Sequence, residues 1–282
     1  MPISDWPVPY PACPSPIVNS IAGCDFVTIA PPHVRQAVDD ILQKFKRDKS
    51  FKGQQAVTHG LWGISSAEQT RLRIRLTVLW YTLERIRPTR SAIVELGTYL
   101  GTTAMGMRMV MDLLGYRYPE HVLHVYDSFR GLPPPSRRND GRTELQAGHL
   151  RSNIDAYLER FRAAGLDPPY LHKGFFGEIP TSEYPDAIAF AFYDGDFYES
   201  IRDSFNRTWH KMLPGGSVVI DDYFYGTLEG VKRCVDDMAV RGPGRVRARL
   251  YDPPLNVSHK HRYESSHIAF ASYEGVITVE GS

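Results

Sequence analysis

The stretch SAIVELGTYLGTTAMGMRMVMDLL (91–114) joins a short apolar run, a glycine turn and a helix-forming segment. SAIVEL follows a turn and predicts a buried strand, and GTTAMGMRMVMDLL predicts the helix after it. Further apolar strands are predicted at HVLHVYD (121–127), AIAFAFYD (187–194) and SVVIDD (217–222), with predicted helices between them. This alternation indicates an α/β fold with a doubly wound, mostly parallel sheet that is covered by helices on both faces.

Two more helices are predicted before this core. HVRQAVDDILQKFKRD (33–48) carries a helical apolar stripe, and a long helix runs from the capping signature at Ser65 to a point before Pro88. We divide the chain into an N-terminal arm over residues 1–64, which acts as a lid or oligomerisation segment, and a main domain over residues 65–282. The arm begins with a proline-rich stretch that lies either on a neighbouring subunit or on the mouth of the active site, or that is a disordered tail. We expect a homo-oligomer.

The later part of the chain continues the same pattern. HLRSNIDAYLERFRAAG (149–165) predicts a helix, and YLHKG (170–174) predicts a short strand. YESIRDSFNRTWHKML (198–213) predicts a helix that Pro-Gly-Gly closes at 214–216. The segments RVRARLYD and HIAFASY predict two late strands at the end of the sheet.

The composition is ordinary for a globular enzyme and excludes several functional classes. The 282 residues include 33 Lys plus Arg and 32 Asp plus Glu, a net charge of +1, so we expect no nucleic-acid partner. No apolar run approaches the roughly 18 residues that span a membrane, and the N-terminus does not resemble a secretory signal. The three cysteines are few and odd in number, which predicts a cytoplasmic protein without a disulfide framework.

Residues at the ends of the predicted strands are the candidate binding groups, because ligands of such sheets bind outside the carboxyl ends of the strands. The first strand ends in ELGTYLG (95–101), where glycines allow a tight turn and a helix N-terminus follows. The second strand ends in Asp127, which is placed to hold the hydroxyls of a ribose. The spacing is GxxxG and not GxGxxG, so S-adenosylmethionine fits better than NAD. The same residues could instead serve only as a turn and a cap.

Three carboxylates at the ends of two neighbouring strands point to a metal. Asp194 ends the fourth predicted strand, and Asp221 and Asp222 end the fifth. A hard divalent cation with oxygen ligands, such as Mg²⁺, would relieve their mutual repulsion. Asp196 lies two residues beyond the strand, and we expect it to cap the next helix. Separate capping and turn roles for all these aspartates form the alternative interpretation.

Several motifs together resemble known families. ELGTYLG followed by Thr102-Thr103 resembles the motif of catechol-type, metal-dependent O-methyltransferases. YDSFRGLP (126–133), YDGDFYES (193–200), LPGGSVVIDDY (213–223) and GVKRCVDD (230–237) resemble the macrocin and mycinamicin O-methyltransferases. The resemblance covers about residues 58–240. It implies a Rossmann-like class I methyltransferase fold, S-adenosylmethionine and Mg²⁺ as cofactors, and deoxysugar hydroxyls as acceptors.

The resemblance also implies roles for individual residues. Asp194, Asp221 and Asp222 would bind the metal. The cofactor contacts would be Glu95, Gly97, Thr98, Tyr99, Gly101, Thr102, Thr103, Asp127 and Ser128, with Gly174, Phe175 and Phe176 flanking the adenine. In the segment HGLWG (59–63), Leu61 and Trp62 would lie near the cofactor.

The catalytic base departs from the catechol-type pattern. Those enzymes carry a lysine three residues after the first metal aspartate, whereas this chain has Phe197 at that position. We therefore predict His149, in the loop after the second strand, as the base beside Asp194, with His59 as the alternative. His149 could equally begin or cap the next helix.

The acceptor is predicted only by class. We expect a hydroxyl of a saccharide or glycosylated natural product, and residues 1–55 and 241–282 match nothing that would identify the sugar. Asp194-Gly195-Asp196 also reads as the DxD motif of a metal-dependent glycosyltransferase. A hydroxylase or another non-methylating relative that keeps the methyltransferase fold is the remaining alternative.

Overall fold

The computed structural model describes residues 30–46, 66–86, 90–117, 119, 121–223, 227–241, 247–250 and 269–272. Seven strands form one sheet in the order β3-β2-β1-β4-β5-β7-β6. They are β1 Ser91–Leu96, β2 His121–Asp127, β3 Tyr170–Lys173, β4 Ile188–Tyr193, β5 Met212–Ile220, β6 Arg247–Leu250 and β7 Ala269–Ser272. Strands β1 to β5 pair in parallel, whereas β7 runs antiparallel to β5 and to β6.

Six α-helices accompany these strands in the described part of the chain. They are α1 Pro32–Lys46, α2 Ser66–Ile86, α3 Thr102–Leu113, α4 Ile154–Ala163, α5 Tyr198–Thr208 and α6 Glu229–Arg241. Helices α1 to α4 contribute to one apolar cluster, and α5 and α6 contribute to a second. The chain therefore forms the doubly wound α/β fold that the sequence predicts.

The central strands are apolar throughout because both faces of the sheet are covered. In β4, Phe190 and Phe192 pack into the cluster of α1 to α4, whereas Ala191 and Tyr193 pack into the cluster of α5 and α6. Successive side chains of a strand point to opposite faces, so a strand covered on both sides has no polar face. All six residues of β1 and all six of β4 are buried.

The sheet has its topological switch point at β1. The chain passes from β1 to β2 and β3 on one side, then returns to β4 and β5 on the other. The loops that follow β1 and β4 consequently diverge and leave a crevice between them at the carboxyl ends of the strands. The predicted binding residues at 95–103 and 194–196 lie at this crevice.

Two predicted helix boundaries are wrong. The helix from Tyr198 ends at Thr208, a short 3₁₀ turn covers Trp209–Lys211, and Pro-Gly-Gly at 214–216 lies within β5. The register between β4 and β5 is irregular at this point, which accommodates the extra residues. The helix predicted from His149 begins at Ile154, because Asn153 caps it and accepts a hydrogen bond from Ala156 N–H.

Helix α1, which lies in the predicted arm, packs against the main domain. Its apolar side chains belong to the apolar cluster of α1 to α4. Asp39 on α1 accepts a hydrogen bond of 2.7 Å from Arg73 on α2. The predicted boundary between residues 64 and 65 falls outside the described residues and stays a prediction. No helix in the described ranges has the length and apolar character needed to cross a membrane.

Candidate active site

One cleft with a volume of about 1000 Å³ lies at the carboxyl ends of the central strands. Most of the residues that the sequence analysis singled out line it. They are Glu95, Gly97, Thr98, Tyr99, Thr102, Thr103, Asp127, Ser128, Phe175, Phe176, Asp194, Asp221 and Asp222. Residues at the ends of five strands, β1 to β5, thus converge on one space, as the fold predicts.

The glycine turn after β1 is shaped by two close approaches. Gly97 has φ +92°, and a Cβ on it would lie 1.8 Å from the carbonyl oxygen of Asp194. Gly101 has φ +82°, and its Cβ would lie 2.6 Å from the ring of Tyr157. Both positions require glycine, because a side chain would be strained and would also collide. Gly97 sets the distance between the turn and Asp194, whereas Gly101 is the N-cap of α3 and does not itself line the cleft.

Asp127 ties the end of β2 to the glycine turn. Its Oδ2 accepts hydrogen bonds from the N–H groups of Thr98 (3.0 Å) and Tyr99 (3.2 Å), and its Oδ1 accepts one from Phe129 N–H (2.7 Å). Each carboxylate oxygen has two lone pairs, so these bonds fix the group and leave capacity for a ligand hydroxyl. Ser128 has a turn role as well, since its hydroxyl donates to the carbonyl of Gly131 at 2.7 Å.

Glu95 is buried at the base of the cleft, and its Oε2 has no hydrogen-bond partner in the described part of the chain. Burial raises the pKa of Glu95 to about 8, although Thr98 and Arg75 oppose this shift. An unpaired buried carboxyl oxygen favours a hydrogen-bond donor or a cation beside it. The position therefore suits the positively charged end of a ligand.

The three predicted metal ligands lie together. One carboxylate oxygen each from Asp194, Asp221 and Asp222 lies within 4.8 Å of the others. Burial first, and then the neighbouring carboxylates, raises the pKa of Asp194 and of Asp222 well above the ordinary value for aspartate. Oδ1 of Asp221 is buried, and none of the residues that the structure describes forms a hydrogen bond with it. A divalent cation with oxygen ligands would satisfy that atom and offset the repulsion.

Two arginines of α2, which no sequence motif identified, lie beside these carboxylates. Arg75 is 2% exposed and donates to Asp221 Oδ2 at 2.5 Å. Arg71 donates to Glu68 at 2.8 Å, and its Nη1 lies 3.7 Å from Asp222. Burial lowers the pKa of Arg75, but Asp221 and Glu68 outweigh this and raise it, so the guanidinium stays charged.

The loop that flanks the predicted adenine position is held by its neighbours. Phe175 and Phe176 line the cleft, whereas Gly174 lies behind them and donates its N–H to the carbonyl of Asp127 at 3.0 Å. The Tyr184 hydroxyl donates to the carbonyl of Phe176 at 2.9 Å. These contacts fix the direction in which the two phenylalanines enter the cleft.

Asp196 does not cap the helix that follows it, contrary to the prediction. The N-cap of α5 is Phe197, whose side chain makes no cap hydrogen bond. Instead Asp140, from the long loop after β2, accepts a hydrogen bond of 2.7 Å from Tyr198 N–H. Asp196 lines the cleft, and burial together with Asp221 and Asp127 raises its pKa to about 7.

Strained backbone positions concentrate at this cleft. Among the described residues, five other than glycine have a positive φ, and four of these line the cleft: Tyr99, Leu150, Asp196 and Asp222. Such conformations cost about 1–3 kcal/mol each and persist where the surroundings enforce them, typically at functional sites. The strain therefore supports the cleft as the active site independently of the chemistry of its side chains.

The structure does not bring every predicted residue into the cleft. The His149 side chain is exposed, its Nδ1 accepts a hydrogen bond from Gln146 N–H at 3.3 Å, and the neighbouring Leu150 lines the cleft in its place. Leu61, Trp62 and His59 lie outside the described residues. The roles of these four residues stay predictions.

Comparison with known families identifies the chain. Residues 67–242, more than half of its length, match the family model described as Macrocin-O-methyltransferase (TylF). The chain belongs to the macrocin O-methyltransferase family. The resemblance inferred from YDSFRGLP and the other quoted motifs is thereby confirmed. Membership of the macrocin O-methyltransferase family favours the methyltransferase interpretation over a DxD glycosyltransferase.

Curated relatives of this macrocin O-methyltransferase family member act on natural products. Demethyldecarbamoylnovobiocin O-methyltransferase of Streptomyces niveus is 30% identical over 139 residues, which are 46% of this chain and 52% of the relative. The 8-demethyl-8-(2,3-dimethoxy-α-L-rhamnosyl)-tetracenomycin-C 4'-O-methyltransferase of Streptomyces olivaceus is 29% identical over 158 residues, 53% and 60% of the two chains. Mycinamicin III 3''-O-methyltransferase of Micromonospora griseorubida is 25% identical over 141 residues, 46% and 54%. The chain spans just over half the length of these relatives.

Solved structures confirm the fold. The O-methyltransferase NovP superposes with a TM-score of 0.61 at 18% identity and covers 86% of this chain and 98% of its own. The calicheamicin methyltransferase CalS11 superposes with a TM-score of 0.58 at 16% identity and covers 91% and 100%. The class I, Rossmann-like methyltransferase fold expected from the sequence is therefore present.

Proposed function

We propose that this protein transfers a methyl group from S-adenosylmethionine to a hydroxyl of a saccharide or glycosylated natural product, and that it does so with a bound Mg²⁺. Family membership and the three natural-product relatives support the reaction class. The observation that carries the proposal is the convergence of a nucleoside-type site and a carboxylate cluster. Asp127 and the glycine turn lie in the same cleft as Asp194, Asp221 and Asp222.

The cofactor would occupy the part of the cleft between the ends of β1, β2 and β4. Asp127 is fixed by three backbone N–H groups and would accept hydrogen bonds from the ribose hydroxyls. Phe175 and Phe176 offer apolar surface for the adenine, and buried Glu95 lies where a cationic methionyl group would be stabilised. S-adenosylmethionine would supply the methyl group from its sulfonium centre, and the protein would orient it for an in-line displacement.

The carboxylate cluster fits Mg²⁺. Three aspartate oxygens within 4.8 Å form a hard oxygen donor set, and Oδ1 of Asp221, which has no hydrogen-bond partner among the described residues, is available as a ligand atom. The ion would act as a Lewis acid that lowers the pKa of the acceptor hydroxyl, which by itself is almost as weak an acid as water. Asp194 follows β4, and its carbonyl lies close to Gly97 in the turn after β1. This contact would keep the metal and the acceptor hydroxyl next to the cofactor.

The protein must also remove the hydroxyl proton. His149 remains the proposed base, because its loop forms one wall of the cleft through Leu132, Pro133 and Leu150. Its imidazole would have to turn from Gln146 towards the cleft to act. The loop itself is anchored, since Leu132 N–H donates to the carbonyl of His149 at 2.8 Å and the Leu132 carbonyl accepts a hydrogen bond from Gly148 N–H at 2.9 Å. The acceptor would therefore bind between this loop and the carboxylate cluster.

A pair of binding measurements tests the proposal. S-adenosylhomocysteine should raise the unfolding temperature of the protein, and UDP should not, because only the former matches the glycine turn and Asp127. Asp194→Asn should abolish methyl transfer and leave S-adenosylhomocysteine affinity largely intact. The variant should keep its fold, since burial and neighbouring carboxylates already disfavour a charged Asp194.

Asp155→Asn is the matched control for this experiment. It makes the same chemical change at an exposed position on α4, away from the cleft, and should leave both transfer and binding unchanged. Stabilisation by UDP without stabilisation by S-adenosylhomocysteine would contradict the proposed cofactor. Full transfer by Asp194→Asn would contradict the proposed metal site.

A further inference from the structure

Arg75 is a buried arginine of α2 that contacts residues from three other elements of the fold. Its Nη2 donates to Asp221 Oδ2 at 2.5 Å, and its Nη1 donates to Glu68 at 3.1 Å and to the Thr103 hydroxyl at 2.8 Å. The guanidinium carbon lies 4.4 Å from the centre of the Phe192 ring. One side chain of α2 thus joins the end of β5, the first turn of α3 and the face of β4.

These contacts give the two carboxylate oxygens of Asp221 different surroundings. Oδ2 is occupied by Arg75, whereas Oδ1 is buried and has no partner among the described residues. A carboxylate held in this way offers one oxygen to the centre of the cluster and cannot rotate to offer both. Arg71 does not share this task, because its Nη1 lies 4.0 Å from Asp221 and makes no hydrogen bond with it.

We propose that Arg75 is a positioning residue that orients Asp221 so that Oδ1 alone faces the metal, and that it links this ligand to the cofactor-lining Thr103. The inference rests on the proposed metal site. Residues that form hydrogen bonds with a metal-binding side chain fix the orientation of that side chain. Their loss typically weakens metal binding about 10- to 100-fold. The guanidinium suits the role because its planar fork can hold Asp221 and Thr103 at once, which an ammonium cannot do in the same geometry.

A purely electrostatic role for Arg75 predicts the opposite outcome. A positive charge beside three carboxylates also repels an incoming cation, so removing the charge alone would tighten metal binding. Arg75→Lys keeps the charge and loses the fork, whereas Arg75→Met loses both. The two variants therefore separate orientation from charge.

The test is titration of the full-length protein with Mn²⁺, with the free ion measured by electron paramagnetic resonance. The inference predicts that Arg75→Lys weakens Mn²⁺ binding about 10- to 100-fold and alters the spectrum of the bound ion. Arg75→Met should also weaken binding. Arg73→Lys is the matched control, because Arg73 lies on the same helix, pairs with Asp39 at 2.7 Å and does not line the cleft.

The outcomes distinguish this inference from the proposed function. A wild-type protein that fails to bind Mn²⁺ overturns the metal site, and the role of Arg75 with it. Wild-type binding combined with Arg75→Lys affinity within about twofold of it, or tighter binding by Arg75→Met, overturns the positioning role alone. If circular dichroism shows that Arg75→Lys is unfolded, Thr103→Val provides the test. It removes one contact of Arg75 and should weaken Mn²⁺ binding about 2- to 10-fold, the equivalent of one hydrogen bond, and unchanged binding overturns the inference.

Discussion

Replacing Gly97 with alanine tests whether the close approach of the β1 turn to β4 builds the active site. The new Cβ would lie 1.8 Å from the carbonyl oxygen of Asp194, so either the turn or the end of β4 must move. Forcing extra atoms into a packed region costs about 1–3 kcal/mol. The positive φ of +92° adds the strain of a left-handed conformation, about 1–2 kcal/mol. We expect the free energy of unfolding to fall by about 2–5 kcal/mol.

Gly115→Ala separates the cost of the positive φ from the cost of the steric collision. Gly115 also has a positive φ, +74°, but a Cβ there would lie more than 4 Å from the atoms of the described residues other than its two chain neighbours. This control should lose only the strain of about 1–2 kcal/mol. Urea denaturation of both variants measures the difference, and isothermal titration with Mn²⁺ reports whether Asp194 has been displaced. A loss of stability in Gly97→Ala no larger than in Gly115→Ala, with Mn²⁺ binding unchanged, would refute the reasoning.

Three further predictions concern single residues. Asp127→Ala should weaken S-adenosylhomocysteine binding by about 1.5–3 kcal/mol in calorimetry, the range for a hydrogen bond to a charged group, and unchanged affinity would remove Asp127 from the ribose. His149→Ala should lower kcat by about 10²–10⁴ if His149 is the base, and a variant that keeps more than about a third of kcat would exclude it. His124→Phe should reduce the loss of stability between pH 7 and pH 5 by about 2 kcal/mol in urea denaturation, and equal losses in variant and wild type would contradict this.

The sign of the last prediction follows from the surroundings of His124. Burial first, and then His172 at 3.0 Å, lowers the pKa of His124 to about 4. The unfolded chain protonates a histidine near pH 6.5, so between these pH values the unfolded state binds more protons. This contribution to stability is therefore present above pH 6.5 and is lost as the pH falls through 4. Tyr170 stacks on His124, and Glu183 faces His172 at 3.1 Å on the far side of the pair.

The positions of the strand ends were predictable because the signals are local. Alternating apolar runs and helices imply parallel strands, and parallel strands place their carboxyl ends at one edge. Glu95, Asp127, Asp194 and Asp221 could therefore be assigned to one site without knowledge of any long-range contact. The continuous apolar character of 188–193 was also sufficient to predict burial on both faces.

The parts of the site that depend on distant contacts were not predictable. Arg75 is 146 residues from Asp221 in the chain, and it is one of three arginines that alternate with apolar residues in the first half of α2. Arg71 and Arg73 remain partly exposed, whereas Arg75 is buried and requires a partner, and the local sequence does not distinguish the three. Asp140 caps α5 from 58 residues away, and the sequence offered the nearer Asp196 for that role. In both cases a contact between residues that are distant in the chain determines the role of the side chain.

The central claim is that the carboxylate cluster and the nucleoside-type site act together in methyl transfer. The most direct measurement is transfer of tritium from S-adenosyl-[methyl-³H]methionine to a panel of saccharides and glycosylated natural products, with Mg²⁺ or with EDTA. The account predicts label in a glycoside acceptor in the presence of Mg²⁺, its loss in EDTA and its return when Mg²⁺ is restored. Undiminished transfer in EDTA, or cofactor binding with no transfer to any hydroxyl acceptor, would contradict it.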